Sequence, residues 1–113
     1  IAIGSVLRTG AASLTKSLKW LLESYSTSAR EAFAGSVPYL QMWGTVCGGW
    51  QMGRAALIAS RKLAANEGDA DFLHAKLVTA RYYTDALLPE AQALAAEVTG
   101  AGGSVLALSE AQF

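Results

Sequence analysis

The sequence predicts an all-α fold: an up-down bundle of three long helices with a short C-terminal helical turn. Three observations carry this. Alanine is abundant and there are only two prolines in 113 residues, a composition that favours helix. Apolar residues recur in steps of three and four over long stretches, which is the period of an amphipathic helix. The central stretch, Ser36 to Ala65, carries two of the three tryptophans, the only cysteine and four glycines at helical spacing. Gly44 and Gly48 lie four apart, as do Gly49 and Gly53, so each pair shares a face one turn apart. A glycine inside a helix costs about 1 kcal/mol relative to alanine. Four of them imply a neighbouring backbone packed close, with Tyr39, Leu40, Trp43 and Trp50 filling the space on either side.

The first helix is expected from about Ile3 to Tyr25. Leu7, Ala11, Leu14, Leu18, Leu21 and Tyr25 form a seam of heptad type, with Arg8, Lys16, Lys19 and Glu23 off it. Trp20 and Leu22 broaden the apolar face. Ser24 to Gly35 is the first break, because clustered hydroxyls compete for backbone hydrogen bonds. Within it Ser28 is placed to cap a short turn over Ala29–Phe33, and Gly35 to end it.

Ser36 then reads as an N-cap, with Pro38 in the first turn, where a missing N–H does no harm. The second helix is expected from Val37 to about Asn66. Ala55, Leu57, Ile58, Ala59 and Leu63 are expected inside, and Arg54, Arg61 and Lys62 outside or at an edge. Gly68 is the expected left-handed cap residue. Asp69 caps the third helix and Asp71 complements its dipole. Leu73, Leu77, Ala80, Thr84, Leu87, Ala91, Leu94 and Val98 keep one register across Pro89. That favours one long helix, Ala70 to about Thr99, kinked at Pro89; a break at Leu88 would make the count four. Gly100-Ala101-Gly102-Gly103 is a flexible stop, and Ser104 to Phe113 folds back as a helical turn over the end of the bundle.

Composition excludes several functions. Nine basic residues balance nine acidic ones, so there is no net charge to drive nucleic-acid binding. A single cysteine rules out an internal disulfide and a multi-cysteine zinc site, and a cytoplasmic location is expected. Gln41, Gln51 and Arg54 interrupt Val37–Ser60 before it reaches the ~20 apolar residues of a membrane span, so no transmembrane segment is expected. The chain opens on Ile1, inside an apolar pattern, which reads as one domain, 1–113, excised from a longer protein.

The chemically versatile residues fall short of a site. His74, with Asp71 one turn before it, lacks further ligands for a metal and reads as a surface position. Cys47, among Trp43 and Trp50, reads as a buried structural thiol. Tyr82 and Tyr83 follow Arg81; one is expected to pack inward and the other to lie at an interface. Lys76 and Arg81 can pair with Asp69, Asp85 or Glu90. No phosphate loop or dinucleotide fingerprint is present, since Gly44–Gly53 follows no strand. No catalytic, cofactor-binding or metal-binding residue is assigned, and Glu90 and Glu97 are not candidates.

The ordered set Pro38-Tyr39-Leu40, Gly44, Gly48-Gly49-Trp50, Arg54-Ala55-Ala56, Asp71-Phe72, Ala75-Lys76, Ala80-Arg81-Tyr82-Tyr83 and Leu87-Leu88-Pro89 resembles the extra C-terminal domain of long bacterial acyl-CoA dehydrogenases. The likeness covers most of Ser36–Phe113, the first helix matching in character alone. The resemblance implies an FAD-dependent parent that forms a double bond α,β to the thioester of a fatty acyl-CoA. Its flavin and catalytic glutamate would lie in an upstream core, and no residue of either kind carries over to this chain. The implied role is non-catalytic: packing on that core or association of subunits in a homo-oligomer, through a wide apolar face on the second helix and Trp20 on the first. Two other classes compete, a free-standing helical oligomerisation or adaptor module, and a small acyl-ligand carrier with chains beside Gly44–Gly53.

Overall fold

The computed structural model describes residues 2–113; Ile1, which opens the apolar pattern, lies outside them. Helix α1 spans Ala2–Thr27, α2 Ala29–Ala34, α3 Ser36–Ala64, α4 Ala70–Tyr82, α5 Glu90–Gly100 and α6 Gly102–Val105. A π-helical turn, Tyr83–Leu87, joins α4 to α5, and a 3₁₀ turn covers Glu110–Gln112. Among the described residues there are no strands.

The architecture is the expected up-down bundle. Helices α1 and α3 run antiparallel: Gly53 lies by Ile3, Gly10 by Val46, and the Ser17 hydroxyl meets the Met42 sulfur at 3.9 Å. Helix α3 then turns back into α4, and α5 packs against both α1 and α3. The core is Leu14, Met42, Val46, Leu88, Ala91, Leu94 and Val98. Leu73, Ala80, Thr84, Ala91, Leu94 and Val98 are all buried, so the register predicted for the third helix holds.

That helix bends rather than breaks. Leu88 and Pro89 keep right-handed helical dihedrals. The Leu88 N–H reaches back five residues to the Tyr83 carbonyl, at 2.9 Å. A proline ring clashes with the carbonyl four residues before it. The wide turn ahead of Pro89 relieves that crowding and brings Leu88 fully inside.

The caps explain where the other helices stop. The Ser28 hydroxyl accepts from the Glu31 N–H, as expected, and Asp69 accepts from the N–H groups of Asp71 and Phe72. Ser36 is not a cap: it lies inside the first turn and its hydroxyl donates to the Phe33 carbonyl at 2.7 Å, leaving Gly35 as the flanking residue of both α2 and α3. At the end of α3 the left-handed residue is Asn66, φ 54°. Its N–H donates to Leu63 and the Glu67 N–H to Lys62, the paired bonds that close a helix C-terminus. Gly68, φ 78°, takes the next sharp bend instead.

Three further expectations fail. Leu57 and Ile58 are about half exposed, because α4 is the main cover of that end of α3 and the residues buried there are Ala56, Ala59, Leu73 and Ala80. Gly100, Gly102 and Gly103 are helical, not a flexible stop; Gly102 is buried against the backbone of Glu31, which lets α6 settle on α2. Residues 107–113 do not fold back over the bundle end, and Phe113 is 92 % exposed.

Candidate functional site

The seam predicted along α1 is rotated from the core. The buried line of α1 runs through Gly10, Leu14 and Ser17, where small residues let α3 and α5 approach. Ala11 and Leu18 of the seam face outward, Leu18 being 42 % exposed. Heptad periodicity locates an apolar stripe but does not say which of two neighbours covers it.

On α3 a second stripe runs beside the core-facing one: Tyr39, Trp43, Cys47, Trp50 and Leu57, at helical steps. Tyr39 and Trp43 meet edge to face at 6.4 Å, and the Arg54 guanidinium lies over the Trp50 ring at 5.3 Å. The two stripes form the walls of an open groove of about 570 Å³. Mostly apolar side chains line it, with Thr15, Cys47 and the polar tips of Tyr39, Trp43 and Trp50 among them. Past Leu7 and Trp50, which line both spaces, it continues into a trough of about 490 Å³ along Leu57 and Ser60. Trp43 and Trp50 are 44 % and 52 % exposed.

Cys47 is therefore exposed, not the buried thiol expected; the glycine-rich surface that packs inward is that of Gly48 and Gly49, next to it. Trp20 is half-buried against the core and adds little to the open side. The wide apolar face expected on the second helix is present, with Leu40 also exposed.

The glycines divide. A Cβ on Gly49 would lie 2.8 Å from Leu88, and one on Gly48 would collide with the Tyr83 phenol. That phenol donates to the Thr45 carbonyl at 2.7 Å. Gly44 faces open space, so close packing does not explain it. Burial pushes the Tyr83 pKa above its ordinary value, with the Glu90 carboxylate and the Cys47 thiol adding to the effect. Tyr83 is thus the inward tyrosine of the pair, and Tyr82 stays exposed.

Of the remaining candidates Arg81 lines the trough beyond Trp50, and none of them lines the groove between Leu7 and Trp50. His74 and Asp71 are exposed on α4. Among the described residues no three of His, Cys, Asp and Glu gather as a metal site would require. Arg81 pairs with Asp85 at 2.9 Å, both exposed, a contact worth little in solvent. Lys76 lies over the Phe72 ring at 5.2 Å. Among the described residues no helix is long and apolar enough to cross a membrane. Sequence reasoning missed the buried role of Leu88, which the predicted register had left outside the stripe; the proline one residue on was the available signal of an irregular turn.

A family model described as acetyl-CoA dehydrogenase C-terminal like matches residues 2–109. Over 107 residues the chain is 37 % identical to the 3-methylmercaptopropionyl-CoA dehydrogenase of Ruegeria pomeroyi. That match covers 95 % of this chain and 18 % of the length of the relative.

Proposed function

The chain belongs to the acetyl-CoA dehydrogenase C-terminal-like family, and on that premise we propose that it is a non-catalytic helical domain of an FAD-dependent acyl-CoA dehydrogenase. The observation that carries this is the match of nearly the whole chain to a small part of a relative named as an acyl-CoA-type dehydrogenase. The parent oxidises a fatty acyl-CoA thioester across its α,β carbons in the cytoplasm, and this domain packs on the upstream core or joins subunits of a homo-oligomer.

The donor set of the groove supports placing the flavin elsewhere. A dinucleotide's pyrophosphate is held by free N–H groups converging at a glycine-rich turn or helix N-terminus, whereas this groove lies between the sides of two continuous helices and is lined mainly by leucine and tryptophan side chains. No catalytic step is assigned to any residue of this chain. The groove instead suits burial: fully covering a leucine or comparable side chain is worth about 1.5–3 kcal/mol, and several lie uncovered along one side.

The test is the visible absorption spectrum of the full-length natural gene product, before and after an acyl-CoA is added. A flavin band that bleaches is expected. A colourless product would sink the dehydrogenase reading.

A further inference from the structure

The neutral chain hides a segregation of charge. Helices α1 and α3 carry Arg8, Lys16, Lys19, Arg54, Arg61 and Lys62 against the single acid Glu23. From Glu67 onward the balance reverses, seven acids against Lys76 and Arg81. The basic residues of α1 and α3 also have a consistent position relative to the groove. Arg54 follows Trp50 by one turn and Arg61 follows Leu57 by one turn; Lys19 follows Thr15 and Arg8 precedes Ala11 in the same way. Residues three or four apart share a helix face, so the apolar floor is rimmed by cations on both walls. All four are exposed, and Arg54 is already stacked over a groove tryptophan.

We propose that this groove docks an amphipathic α-helix whose apolar stripe is flanked by aspartate or glutamate. Both walls are helices, and the valley between two packed helices accepts the ridges of a third. From Tyr39 to Ser60 the groove and its continuation follow α3 for ~30 Å, the length of about 20 helical residues. Apolar walls take the stripe, and the Arg8, Lys19, Arg54 and Arg61 rim takes the acidic flanks. A second copy fits less well. Two-fold pairing of this face would set one basic rim against another, and like charges across an interface oppose association. This assignment rests on the reading of the domain as one that packs on its parent: the docked helix belongs to the upstream part of that chain.

The experiment uses two synthetic peptides of about 20 residues, each with leucines at heptad a and d positions. One carries glutamate at e and g, the other lysine. Binding to the 113-residue chain is followed by tryptophan emission, which Trp43 and Trp50 report from the groove walls. The glutamate peptide is expected to bind about tenfold more tightly and to shift the emission to the blue. In the Arg54→Glu, Arg61→Glu double variant, which alters only exposed side chains, the order is expected to reverse in favour of the lysine peptide. Equal binding of both peptides, binding of neither, or an order unchanged in the double variant overturns the proposal. So does a dimer of the chain, seen by sedimentation, that the glutamate peptide cannot dissociate, or an emission shift with phosphatidylglycerol vesicles that the peptide cannot compete away. A flavin-bearing parent without the peptide preference removes this assignment alone; a colourless parent with the preference intact removes the dehydrogenase reading and leaves the groove.

Discussion

At the scale of single residues, four glycines of one helix have unlike roles. Gly44 meets nothing within 4 Å, whereas the position a Gly48 side chain would take is filled by Tyr83. Gly44→Ala is expected to stabilise by about 0.5–1 kcal/mol, since only helix propensity changes. Gly48→Ala is expected to destabilise by about 1–3 kcal/mol despite the same propensity gain, because the tyrosine must move off Thr45. Urea melts of the two variants check the opposite signs. Tyr83 also sets a pH dependence. Its pKa is raised in the folded state, so the folded chain holds that proton more tightly than the unfolded chain. Stability from this source is complete below about pH 10, the unfolded value, and falls as pH rises through the folded one. Tyr83→Phe is expected to flatten that alkaline decline relative to wild type, measured as the urea midpoint between about pH 9 and pH 11.5.

At the scale of elements, the bend between α4 and α5 decides how the third arm packs. Its cause is a residue more in the turn, seen in the bond from Leu88 back to Tyr83, and not the proline ring alone. Pro89 itself is exposed. Pro89→Ala is therefore expected to change stability by less than about 1 kcal/mol. Inserting one alanine after the exposed Ala86 adds a residue that the turn has not already absorbed and turns everything after it by about 100°. Leu88, Ala91, Leu94 and Val98, all buried, would swing away from α1 and α3, and the insertion is expected to abolish cooperative unfolding. Circular dichroism during thermal melts separates the two outcomes. The same turn shows the limit of periodicity: steps of three and four predict which face is apolar, but a turn of π geometry adds a residue without disturbing the pattern enough to be seen. Caps were more legible. Ser28 and Asp69 act where short polar side chains precede helical runs, while Ser36 was preempted because α2 ends at Ala34 and Gly35 alone separates the two helices.

At the scale of the whole molecule, the chain is a long thin slab, 66 × 28 × 17 Å. Its radius of gyration, 18.6 Å, well exceeds the ~13 Å of an equally long compact domain. One end is three helices across and the other is the α3–α4 hairpin alone. A body this thin cannot give every amphipathic face an internal partner, which is why Leu18, Trp43, Trp50, Leu57 and Ile58 remain uncovered together. Small-angle scattering of the monomeric chain is expected to return a radius near 18.6 Å; a value close to ~13 Å would mean that the hairpin folds back onto the groove.

The sequence by itself determined the helices, their order, most of their ends, the buried register from Leu73 to Val98, and a family resemblance that the match over residues 2–109 establishes. These are local: helix propensity, caps and apolar period act within a few turns. Tertiary structure alone decided which apolar stripe is core and which is groove. Leu14 and Leu18 both belong to the heptad seam, yet Leu14 is buried and Leu18 is not, because α5 and the core face of α3 pack on the Leu14 side of α1 while among the described residues none covers the Leu18 side. It also exposed Cys47, buried Leu88 and set cations of the neighbouring helices α1 and α3 along the two edges of one groove. Those outcomes depend on how helices are placed against one another, and a single helix carries no record of the angle at which its neighbour arrives.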